Sequence, residues 1–242
     1  MKIVGVISSP SRDGNTAVLV RQALKAAAES GADVEEIFLF DLDIRYCTGC
    51  SRCMAEGRCW TPDDFESVRE TLLDADGLVF GSPTYGLQPN APMKNLFDRL
   101  GMFSVYTSAF ADKYVVGIST AGGFGAKRVA KRLTTIVSGM FGSSAVSGTL
   151  GVLRGWNRIE EKPEALAKAR ELGRKLVADI RRGRRYPFRN VFSRLLTALV
   201  VRRVARRNVL ANRQNRMKAV YENLVSRELI KPVDPQKDKR GG

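Results

Sequence analysis

KIVGVISSPSRDGNTAVLVRQALKAAAES, Lys2 to Ser30, holds three pieces in succession: a β-branched apolar run, a polar loop and an amphipathic helix. The run is too short for a helix and is closed by Pro10 and Gly14, so it reads as a strand. After the loop, Val18, Leu19, Ala23, Leu24 and Ala27 recur at helical spacing, and Gly31 stands where a left-handed C-terminal cap belongs. A strand that enters a helix through a polar, glycine-bearing turn is the first half of a βαβ unit.

The same grammar repeats downstream. VEEIFLF, GLVFGS, KYVVGIST and SSAVSGTLGVL read as four further strands, and helices are expected from Thr61 to about Asp74, over APMKNLFDRLGMF, from about Ala126 to Met140, and over 160–182. Thr61-Pro62-Asp63-Asp64 supplies a capping hydroxyl, a first-turn proline and two acids for the positive helix end. Five β-then-α repeats predict an α/β fold with a five-stranded parallel sheet and helices on both faces. Loops 8–16, 81–92 and 119–125 then follow strand ends, the edge where open parallel sheets bind ligands.

In the first of these loops Ser9, Ser11, Asn15 and Thr16 offer hydroxyls and an amide, Arg12 a charged fork, and Gly14 a tight turn. With the helix N-terminus behind them they suit a phosphate. The loop lacks both the G-x-G-x-x-G spacing and a G-K-[ST] ending, which argues against NAD or ATP held in those ways. In the second loop Pro83, Thr84, Tyr85 and Gly86 follow the third strand; Tyr85 could lie against a flat ring and Gly86 lets one approach. In the third, Ser119, Thr120, Ala121, Gly122 and Gly123 offer backbone N–H groups to a polar ring edge.

These loops, SSPSRDGNT, GSPTYGLQPNAPMKNLFDR and STAGG, resemble those of the flavodoxin-like, NADPH-dependent FMN reductase family over about residues 1–180. The resemblance implies FMN, with its phosphate on loop 8–16 and its ring between the other two. Members often carry arginine directly after the proline; here Ser11 intervenes and Arg12 comes one place later.

All four cysteines fall in CTGCSRCMAEGRC: Cys47, Cys50, Cys53 and Cys59. The C-x2-C-x2-C-x5-C spacing lets three thiolates wrap one face of a cubane and a fourth close it, so it points to a [4Fe–4S] cluster. Structural zinc and a thiol-redox role are the alternatives; zinc sites usually bring two separated pairs. Arg45, Arg52 and Arg58 punctuate the loop. They could favour a reduced cluster or dock an acidic, ferredoxin-like donor. Tyr46 and Trp60 flank it and read as packing.

With this loop after the second strand, the chain resembles the iron–sulfur flavoprotein family. That resemblance implies electron transfer between cluster and FMN in a homodimer or tetramer. NAD(P)H is an optional electron donor, and an NAD(P)H-dependent FMN or quinone reductase with a structural metal loop is the alternative activity. The chain has no histidine, which excludes a histidine base or ligand; no catalytic side chain stands out.

Charge divides the chain. Residues 1–180 carry 22 Lys+Arg against 21 Asp+Glu, whereas 181–242 carry 18 against 4. The expected organisation is a flavodoxin-like FMN domain at 1–183 and a basic helical extension at 184–242. Phe192, Leu195, Leu196, Leu199 and Val200 form an apolar stripe near Arg194, Arg202, Arg203, Arg206 and Arg207, a second helix is expected over 212–229, and the last residues read as disordered. Packing on the body or on a sister subunit, lying on an anionic membrane surface, and binding nucleic acid compete for this tail; few aromatics disfavour the last. A redox-responsive module with a membrane- or nucleic-acid-binding tail is a further alternative. With no signal segment or apolar span, the expected location is cytoplasmic, with peripheral membrane contact an option.

Overall fold

The computed structural model describes residues 1–135, 145–185 and 202–233. Five parallel strands, β1 (Lys2–Ile7), β2 (Asp33–Phe38), β3 (Gly77–Tyr85), β5 (Tyr114–Ala121) and β6 (Ala145–Leu153), lie in the order β2-β1-β3-β5-β6. A two-residue β4 (Gln88–Pro89) folds back antiparallel on the end of β3, an addition to the expected five. Strands β1 and β3 are in register from Ile3 opposite Gly77 to Ile7 opposite Gly81. The chain runs outward from β1 to β2 and, in the other direction, from β3 to β6, so the order reverses between β1 and β3. That is the topological switch point of a flavodoxin-like sheet, where the crevice opens.

Both sheet faces are covered, which is why these strands are continuous apolar runs and not alternating ones. Helices α1 (Asn15–Glu29) and α6 (Pro163–Arg181) close one side, over Ile3, Ile7, Val79, Val116 and Ile118. These two helices meet closely at a glycine: a methyl group on Gly173 would lie 2.0 Å from the Ala23 carbonyl oxygen. Helices α3 (Phe65–Asp74), α4 (Ala91–Thr107) and α5 (Ala126–Thr135) close the other side, over Val4, Val6, Leu78, Phe80 and Val115.

Several boundaries differ from the expectation. Helix α3 starts at Phe65 and not at Thr61, because Asp63 is drawn inward: its carboxylate accepts from the Phe65 and Arg45 N–H groups and its side chain is wholly buried. A short helix, α2 (Arg52–Glu56), forms inside the cysteine loop. The expected 212–229 helix begins only at Lys218: α7 (Arg202–Ala211) and α8 (Lys218–Ser226) are separated by turns through Asn212 and Asn215. The apolar stripe at 192–200, Arg194, the last residues of the helix expected to reach Met140, and the tail from 234 lie outside the described residues. No described helix is long and apolar enough to cross a membrane.

Helices α7 and α8 pack against the body. Val209, Met217, Val220, Leu224 and Ile230 form a third buried cluster with Met54 of α2 and Phe103 of α4.

Candidate functional site

Two centres emerge, one at the carboxyl rim of the sheet and one at the cysteine loop. At the rim a buried asparagine organises the switch point. Asn90, which caps α4, accepts from the Ser8 and Ser82 hydroxyls at 2.6 and 3.0 Å and donates to the Ser8 carbonyl at 2.6 Å. Its own N–H donates to Ser82 Oγ at 3.0 Å. One side chain thus ties the end of β1 to the end of β3. Asn90→Ala should cost about 2–3 kcal/mol, since it orphans several buried polar groups; a denaturant titration measures this, and a loss below ~0.5 kcal/mol would contradict it.

Around this knot the sequence-selected residues gather. Ser9 and Thr16 are buried, while Ser11 and Arg12 are exposed. The turn is close-packed at Gly14: a Cβ there would sit 2.3 Å from Ser9 Oγ and 3.0 Å from the Ser11 carbonyl oxygen. The α1 N-terminus carries no side-chain cap, which leaves its first N–H groups for an anion. Asn15 Oδ1 accepts from the Ile159 N–H at 2.8 Å and so ties α1 to the turn after β6. The Arg12 guanidinium lies over the Phe38 ring at 4.8 Å and pairs with Asp41.

Hydroxyls knit the other two loops together. Thr16 and Thr120 share a 2.7 Å hydrogen bond and Thr84 and Ser119 one of 2.9 Å, while Ser119 Oγ donates to the Ser82 carbonyl at 2.7 Å. These side chains are therefore spent on holding loops in register. Pro83 and Thr84 are half-buried and Ala121 is buried, whereas Tyr85, Gly86, Gly122 and Gly123 are exposed. A Cβ added at Gly123 would meet nothing, so the bare backbone there faces open space. Phe124 and Trp156 stand beside it, 73% and 98% exposed. The rim fits a flat, phosphorylated ligand: anion-binding N–H groups lie on one loop and accessible backbone and an aromatic on the others.

The cysteine centre is built on tightly turned backbone. Gly49, Ser51 and Gly57 all adopt left-handed conformations, with φ of 67°, 59° and 79°, which fold the loop back on itself. All four thiols are free and line one small cavity of about 30 Å³, with Cys47 and Cys50 exposed and Cys53 and Cys59 part-buried. Among the described residues no three Cys, Asp or Glu side chains form a group that could hold a single metal ion; the sulfurs rim a cavity. As a donor set, four thiols without histidine suit iron–sulfur chemistry.

Electrostatics differ between the sulfurs. Burial, then the neighbouring Cys59, Cys50 and Cys47, pushes the Cys53 thiol up to about 11. Cys50 is held below its ordinary value by the Arg52 N–H and then by Trp60.

The strongest polar element of this centre is distant in sequence. Arg99, on α4 and 5% exposed, donates to Cys59 Sγ at 3.1 Å and forks onto Asp63 at 2.6 and 3.1 Å. It also donates to the Arg45 carbonyl at 2.8 Å and stacks over Phe65 at 4.2 Å. Glu66 accepts from the Cys59 N–H at 2.6 Å. Burial tends to raise Asp63, but the Arg99 hydrogen bonds and the Arg45 and Phe65 N–H groups outweigh it and hold the carboxyl low.

Of the loop arginines, Arg45 pairs with Asp43, Arg52 pairs with Glu56 and lies over Trp60, and Arg58 is exposed. Tyr46 is 81% exposed, against the packing expected of it, whereas Trp60, 51% exposed, packs at the cavity under Arg52. Arg99 and Asn90 escaped the sequence reading: Arg99 sits in the helix that follows the second rim loop and Asn90 at its N-cap, the end of that loop.

Residues 1–157 match the family described as NADPH-dependent FMN reductase. An iron-sulfur flavoprotein of Methanocaldococcus jannaschii is 42% identical over 99 residues, 41% of this chain and 51% of that protein. One from Archaeoglobus fulgidus is 29% identical over 194 residues, 73% of this chain and 94% of that protein. The first two curated relatives are thus matched over about half of their own length. Among solved structures a flavone reductase superposes with a TM-score of 0.61 at 22% identity, covering 75% of this chain and 63% of that one. The NAD(P)H:quinone oxidoreductase from Methanothermobacter marburgensis does so with 0.55 at 19%, covering 73% and 96%. At these identities the structural likeness establishes the flavodoxin-like fold alone.

Proposed function

Because the chain belongs to the NADPH-dependent FMN reductase family, we propose that it is an FMN-dependent oxidoreductase whose Cys47, Cys50, Cys53 and Cys59 hold a [4Fe–4S] cluster that exchanges electrons with the flavin. The observation that carries this reading is that four free thiols line one cavity on a domain whose carboxyl rim fits a flat phosphorylated ligand. Curated relatives from Methanocaldococcus jannaschii and Archaeoglobus fulgidus bear the name iron-sulfur flavoprotein, which supports it. When bound, a flavin that takes up one electron or two, beside a cluster that passes one at a time, joins single-electron carriers to two-electron chemistry.

The chain's own residues orient these groups. The backbone N–H groups of the α1 N-terminus, those of Asn15 and Thr16 among them, would hold the phosphate with Ser9, Ser11 and Gly14, and Arg12 adds charge nearby. Pro83 to Gly86 and Ser119 to Gly123 would flank the ring. Helix α4 connects the two centres: its cap Asn90 sits in the rim and Arg99 at the cysteine cavity, nine residues later, or about 14 Å of helix axis. The donor guanidinium of Arg99 is aimed at one sulfur and held there by Asp63, so a negative charge on Cys59 is met without reorganisation. Exposed Phe124, Leu153 and Trp156 offer apolar surface beside the rim for a second copy in a homodimer or tetramer.

The test is composition. Protein purified without air should carry about four iron and four sulfide per chain, one FMN, and broad visible absorption under the flavin bands. A protein with FMN, one zinc and no sulfide would overturn the cluster and leave an NAD(P)H-dependent FMN or quinone reductase.

A further inference from the structure

The extension carries no thiol, since all four cysteines lie at 47–59, and it lies beyond the family-matched residues. Yet its helices pack against the cysteine loop. Val220 and Leu224 of α8 and Val209 of α7 are fully buried, in one cluster with Met54 and Phe103 and with Cys53 packed against it. Phe103 and Cys53 also line the cysteine cavity. Gly57, another lining residue, approaches α8 so closely that a Cβ on it would lie 3.3 Å from Ala219 Cβ. The contact is fastened at its far end, where Arg227 donates to the Thr107 and Ser108 carbonyls at the end of α4, both at 3.0 Å.

We infer that α7 and α8 are a cover for the cysteine centre, sealing its Cys53 side against water and small solutes while leaving the Cys47 and Cys50 side open. An apolar shell around a cluster sets solvent access and local dielectric. The cover's inner face is apolar, whereas Arg203, Arg206, Arg207 and Arg216 are exposed. This sidedness is what a dedicated cover requires. The inference rests on the cluster reading for what is protected, but the cover itself is a statement about Cys53.

Full-length Leu224→Asp places a charge in the seam, and Arg227→Gln loosens only its fastening. In reduced, metal-free protein, labelling of each cysteine by a thiol reagent is followed by mass spectrometry. Labelling of Cys53 should accelerate at least about tenfold in Leu224→Asp, the ratio that 1.4 kcal/mol of easier opening gives. It should rise less in Arg227→Gln, and stay unchanged at exposed Cys47 and Cys50. In protein isolated without air, iron release to a chelator should accelerate in the same order. Unchanged Cys53 labelling in Leu224→Asp overturns the cover. Faster labelling with unchanged iron release overturns its protective role. Faster labelling in chains that never contain iron supports the cover and sinks the cluster reading instead. Circular dichroism checks the fold; should Leu224→Asp not fold, Arg227→Gln decides by the same two rates.

Discussion

Arg99→Met should destabilise the protein by about 3–5 kcal/mol, because it leaves a buried carboxylate without its cation. Asp63 has no exposed side-chain surface and Arg99 almost none. Methionine keeps much of the arginine stem's volume over Phe65 but supplies no donor. Two-state denaturation of the metal-free chain measures the loss. Asp63→Asn in the same chain should recover part of it: asparagine removes the stranded charge and keeps one acceptor oxygen, enough for one of the two N–H groups of Arg45 and Phe65. If the single variant loses less than ~1 kcal/mol, the pair is not what fastens the loop. The pH dependence follows with a definite sign. The Asp63 carboxyl is held below its ordinary value of 3.8, so its contribution is complete above that value. It falls away as the pH drops through the lower folded-state value. The Arg99→Met/Asp63→Asn chain lacks this acid-sensitive part.

Replacing Cys59 with alanine should abolish most of the iron and sulfide while leaving the flavin in place. With three thiolates one iron of a cubane is left without a protein ligand, and the substitution also removes the sulfur that Arg99 addresses. The rim residues lie on other loops, knit by Thr16–Thr120 and Thr84–Ser119, so FMN should stay near one per chain. Iron, sulfide and flavin assays on anaerobically prepared protein check this together. Loss of flavin in step with iron would show that the two centres are not separately built. Full iron in the variant would remove Cys59 from the ligand set.

The sheet was legible because parallel strands buried on both faces appear as short β-branched runs, and because Gly14 and the Thr-Ala-Gly-Gly turn mark strand ends. The cysteine cavity was legible from spacing alone, since close spacing confines the four sulfurs to one loop. Arg99 was not. It lies 40 residues from Cys59, inside a helix that also carries the exposed pair Lys94 and Asp98, and nothing local distinguishes it from a solvated arginine. Asn90 hid in the same way, 82 residues from Ser8. Asp63 was read as a helix-end acid, a role its neighbour Asp64 fills by position; its partner decided otherwise. The tail's apolar stripe at 192–200 lies outside the described residues, and packing on the body was only one of three expected destinations, because an apolar face carries no address until the surface it covers is known.

The chain has two tryptophans, and the fold has sent one to each centre. Trp156 stands beside the third rim loop, where the Gly155 N–H donates to the Gly122 carbonyl, and Trp60 sits at the cysteine cavity under the Arg52 guanidinium. Intrinsic tryptophan emission is therefore a two-channel reporter: with Trp60 replaced by phenylalanine the remaining light responds to the rim loops, and with Trp156 replaced it responds to the sulfur loop.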